Sequence, residues 1–166
     1  AAALAVLESI LGGGRTSRLY KTVFEENQLT AEEPRVYDGP GERYDNLMVI
    51  EAMPRSPHTL EEVEQGILQQ VELLKKEPVT ERELQRVMNQ LDADLIRSLG
   101  SNLGIAFQIA LGELSYGDFH ANFRSFDRIK KVTAADVQRV ANEYLTAKNR
   151  TVAYRVQTEK KEGAEE

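Results

Sequence analysis

The sequence predicts an α+β fold in which helices pack on one face of a mostly antiparallel sheet. Three observations point there. Segments with helical and strand-like periodicity do not alternate: two helical runs come first, then two strand-like runs, a block of helices and one returning strand. Three helix starts share a capping threonine with an acid three residues on, at Thr59/Glu62, Thr80/Glu83 and Thr133/Asp136. The run Leu47-Met48-Val49-Ile50-Glu51-Ala52-Met53 is nearly continuous in apolar residues and is closed by Pro54, as a central strand would be.

Taken in chain order, Ala1 to Leu11 places Leu4, Leu7, Ile10 and Leu11 at three- and four-residue spacing, which predicts a short helix. Ser17 to Asn27 repeats the pattern with Leu19, Val23 and Phe24, and Ser17 or Thr16 can cap it. Arg35 to Asp38 reads as a weak strand, followed by a Gly39-Pro40-Gly41 turn into the apolar strand. The helix after Thr59 carries Leu60, Val63, Ile67, Val71 and Leu74, and the one after Thr80 carries Leu84, Val87, Met88, Leu91 and Leu95, with Pro78 between them. Beyond Gly100 and Gly104, Ile105 to Leu114 is apolar around much of its circumference, which predicts a well-buried helix. Phe119 to Val132 and Thr133 to Leu145 are two more helices, and Thr151 to Val156 reads as a strand. Residues 1–158 therefore form one domain, and the charged stretch 159–166 is expected to be a mobile tail. Three strands are few for this many helices, so further strands are expected from upstream sequence or from a partner.

At 166 residues with 41% hydrophobic and 29% charged composition, the chain is long enough for a real core. Its net charge of -6 is spread along the sequence, which argues against nucleic acid as a partner. No apolar run approaches the ~20 residues of a membrane span. With no cysteine there is no disulfide framework, thiol nucleophile or thiolate metal site. The sequence opens inside a helical pattern without Met, so it is read as a piece of a longer chain.

The motif that stands out is Gly12-Gly13-Gly14 between the first two helical runs. It lacks the spacer and Lys of a phosphate-binding loop, and a dinucleotide pattern would need glycine where Ser17 stands. A helix–helix corner is the simpler reading. Only two histidines exist, His58 and His120, with no second imidazole at zinc-clamping spacing. His58-Thr59-Leu60-Glu61-Glu62 starts like an inverted zinc motif but ends on Glu62, and the same residues already form a capping box. The carboxylates of Asp92/Asp94 and of Glu81/Glu83 lie two apart on helices and are expected to be solvated. Arg15 and Arg18, three apart, could hold a carboxylate or carbonyls, although helix-surface charge is the default.

Ala3 to Leu7 running into Leu11-Gly12-Gly13-Gly14, then Ser17-Arg18-Leu19-Tyr20, Pro78 to Leu84, and Ile129 through Val132-Thr133-Ala134-Ala135-Asp136-Val137 form an ordered set. In that order and spacing the chain resembles the insulinase or pitrilysin-type zinc metallopeptidases, including the mitochondrial processing peptidases, over nearly its whole length. The resemblance implies a half-domain of the processing-peptidase type, here the C-terminal, non-catalytic half with its N-terminal strands missing. It implies zinc and peptide hydrolysis for the parent protein. The segment matching the zinc helix, Ala1 to Leu11, has no histidine and only Glu8 as an acid, so no catalytic or metal residue is assigned within this chain. Active members usually supply an Arg and, seven residues later, a Tyr to the substrate; here those chamber-lining positions are Phe24 and Ala31, and Arg18 and Tyr20 have the wrong spacing. The implied partners are an N-terminal catalytic half or paired catalytic subunit and a peptide substrate; the compartment stays open between the bacterial periplasm, which the family analogy favours, the cytoplasm and an organelle matrix. The competing expectations are a non-catalytic structural or peptide-binding subunit of the same family, and an unrelated α+β interaction domain.

Overall fold

The computed structural model describes residues 1–40 and 46–156. Helix α1 (Ala2–Gly12) is the centre of the molecule: Val6, Leu7, Ile10 and Leu11 are completely buried. On one side it meets a two-stranded antiparallel sheet of β1 (Arg35–Gly39) and β2 (Leu47–Glu51). On the other it meets α3 (Glu81–Ser98), α5 (Ala121–Ile129) and α6 (Ala134–Tyr144). Helix α2 (Leu60–Lys76) packs on α6 and on a π-helix, Tyr20–Glu26.

The strand register sorts side chains by the two-residue period of a pleated strand. Val36 pairs with Ile50 and Asp38 with Met48; Val36, Ile50 and Met48 pack onto the core. Arg35 opposite Glu51 and Tyr37 opposite Val49 take the other face, where the Tyr37 hydroxyl donates to Glu51 at 2.7 Å. One covered face and one open face is the arrangement expected of an α+β sheet.

The three threonine-led helix starts are capping boxes at α2, α3 and α6. In each, the threonine side chain accepts from the backbone N–H three residues on, and that residue's acid accepts from the threonine N–H. At the far end of α2 the Lys75 carbonyl, otherwise an orphan acceptor, accepts from the Gln138 and Asn142 amides of α6, at 3.0 and 3.1 Å.

Several expectations are corrected. The apolar strand is not central, because it has a single ladder neighbour among the described residues. Thr151–Val156 is exposed and has no ladder partner among the described residues; the Tyr154 hydroxyl donates to Glu64, and Arg150 lies near the same carboxylate at 3.8 Å. The second helical run is a π-helix over Tyr20–Glu26, with the Asn27 N–H reaching back five residues to the Thr22 carbonyl at 3.0 Å. Helix α4 (Asn102–Tyr116) is not well buried: Leu103 is 80% and Leu114 75% exposed, since chiefly α3 and α5 reach it. The segment 119–132 is helical only over Ala121–Ile129. Gly41 and the tail 159–166 lie outside the described residues.

Leu7→Ala is expected to cost about 3 kcal/mol, because a fully buried leucine leaves a cavity among packed helices. Thr133→Ala, which removes a cap, should cost about 1 kcal/mol. Urea unfolding of both variants checks the ranking.

Candidate functional site

The glycine triplet forms the corner where α1 ends against the sheet, two of its glycines being required by close neighbours and the third by its backbone conformation. A Cβ at Gly12 would lie 2.2 Å from a Val36 methyl, and one at Gly13 2.4 Å from the Ser9 carbonyl oxygen. Gly14 takes φ +80°, a left-handed conformation. The Ser17 N–H donates to the Gly14 carbonyl at 2.9 Å, and buried Ser17 accepts the Tyr20 N–H at 3.4 Å. The corner therefore launches the π-helix on a fixed path.

That path delivers Arg18 to the start of α3. Its guanidinium donates from Nε to Glu83 Oε1 at 2.9 Å and from Nη2 to Oε2 at 3.1 Å. Both side chains are largely covered, at 17% and 20% exposure, so Glu83 is not the solvated carboxylate its spacing predicts. Burial pushes the Glu83 carboxyl up, but Arg18 together with the Thr80 N–H and hydroxyl outweighs it and holds the carboxyl at about 2. Arg15, by contrast, is solvent-exposed and 3.9 Å from Glu33, a contact of little energetic weight. The other paired carboxylates are surface groups: Asp92 meets Lys130 at 3.0 Å and Asp94 meets Arg97.

On the opposite side of the corner an open groove of about 550 Å³ is lined by Gly12, Gly14, Glu32, Glu33, Arg35 and Tyr37, among others. It follows the start of β1. Phe24 and Ala31 are not among its lining residues. Phe24 is half-buried on the π-helix with its ring 5.2 Å from that of Tyr20, and exposed Ala31 donates its N–H to the Met53 carbonyl at 2.8 Å. Neither side chain carries a polar donor.

Inside the corner, α1 presents Glu8 to the inner face of β1, where the strand period also places Asp38. Burial first, and then the Asp38 carboxylate with which it shares a hydrogen bond, push the Glu8 carboxyl up to about 7. The Glu8 carboxyl thus keeps its proton up to near neutrality, but neither acid lines the groove. His58 Nδ1 lies 3.0 Å from Glu62 inside the α2 capping box, and the Thr59 N–H and His58 hold the Glu62 carboxyl below its usual range. Among the described residues no three His, Cys, Asp or Glu side chains gather as a metal site would need. Helix α1 carries no imidazole.

Residues 1–91, more than half of the chain, match the family model of the peptidase M16 inactive domain. The chain belongs to this family. The fold of this M16 inactive domain agrees with solved structures. The inactive peptidase domain of a protein from Bordetella parapertussis, provisionally named a zinc protease, aligns over 98% of this chain and 85% of its own, at TM-score 0.80 and 23% identity. A protein of the same provisional name from Bordetella pertussis aligns over 95% and 85%, at TM-score 0.77 and 23% identity. A protease from Helicobacter pylori aligns over 87% of this chain at TM-score 0.76 and 24% identity, and the M16 domain spans only 34% of that longer chain. A search of curated protein sequences finds no match.

The contribution of Arg18 signals itself only weakly in sequence: an arginine after the glycine corner and a glutamate at the third position of α3 are both unremarkable until the fold joins them. Two pH predictions follow from this geometry. Arg18→Ala should destabilise the domain by about 1.5 kcal/mol at neutral pH, after allowance for solvent screening. Because the Glu83 carboxyl is held below its ordinary 4.5, that difference is full above pH 4.5 and disappears as pH falls through about 2. Glu8 has the opposite sign: its neutral form is favoured by the fold, so its contribution is full below pH 4.5 and lost as pH rises through about 7. Glu8→Gln should therefore raise stability at pH 8 by roughly 1 kcal/mol, again allowing for screening, and leave it unchanged at pH 4. Thermal melts across pH read both effects.

Proposed function

We propose that this M16 inactive domain is the C-terminal, chamber-forming half of a zinc-dependent metalloendopeptidase whose metal and general base lie outside this chain. The observation that carries the reading is α1. By the family resemblance it corresponds to the zinc helix of a catalytic half, yet its one acid, Glu8, is kept largely neutral by burial and by Asp38, and no imidazole is within its span. The role left to this half is to shape the chamber and hold peptide.

The open face and free edges of the β1–β2 sheet suit an extended peptide, which such surfaces bind as an added strand through backbone hydrogen bonds. The groove beside the glycine corner offers Arg35 and the acids Glu32 and Glu33 at one end of that sheet. In this reading the catalytic half, in the same parent chain or as a paired subunit, supplies the zinc chemistry, and this half supplies positioning.

A second reading is favoured by Phe24 and Ala31. With both polar donors replaced by side chains that cannot stabilise developing negative charge, the parent would bind peptide or a partner subunit without efficient hydrolysis. The two readings separate in one assay. The purified chain is expected to bind no stoichiometric zinc and to cleave no peptide, whereas the parent with its catalytic half is expected to do both. Zinc-dependent cleavage by this chain alone would overturn the assignment; a folded parent with neither zinc nor cleavage would leave the binding role.

A further inference from the structure

We draw no further inference here: the strongest candidate, the exposed apolar face of helix α4 formed by Leu103, Phe107 and Leu114, carries none, because nothing in the structure shows what covers it.

Discussion

The burial of α1 on opposite sides at once is the constraint on which the rest of this domain depends. A helix with Val6, Leu7, Ile10 and Leu11 completely covered has to find apolar partners on more than one flank. It finds the sheet on one and the bundle of α3, α5 and α6 on another. The sheet can come this close only because Gly12 has no side chain to collide with Val36. The same closeness sets Glu8 near Asp38, whose charge adds to burial in raising the Glu8 carboxyl.

The second constraint is the Arg18–Glu83 pair. Glu83 accepts from Arg18 across the domain and from Thr80 within its own capping box, so one carboxylate both starts α3 and ties α3 to the segment leaving the glycine corner. Its partly covered position makes the bond sensitive to loss of either partner, since a lone charge there has little water to turn to. Ion pairs on the outer surface of α6, such as Arg139 with Asp136 and Glu143, lack that consequence because both sides remain solvated.

Surface apolarity is unevenly distributed. The outer face of the sheet mixes Tyr37 and Leu47 with Arg35 and Glu51. Helix α4 is almost without charge and exposes Leu103, Phe107 and Leu114.

Read alone, the sequence determined the features governed by local chemistry. The capping boxes at Thr59, Thr80 and Thr133 were legible because a threonine and an acid three residues apart satisfy helix-end N–H groups wherever the helix lies. The glycine corner, the two strands and the absence of an imidazole from α1 were legible for the same reason, and the ordered motifs sufficed for the family. Tertiary structure alone decided what depends on distant neighbours. Apolar periodicity marks α4 as a helix that wants cover, but only the positions of α3 and α5 show that it does not get it. Thr151 to Val156 has the alternation of a strand, yet a strand exists only where a ladder partner lies alongside. Arg18 meets Glu83 across 65 positions of chain, and Glu8 meets Asp38 across the helix–strand contact. Side-chain spacing encodes which face a residue takes, whereas the partner on that face is set by how the elements pack.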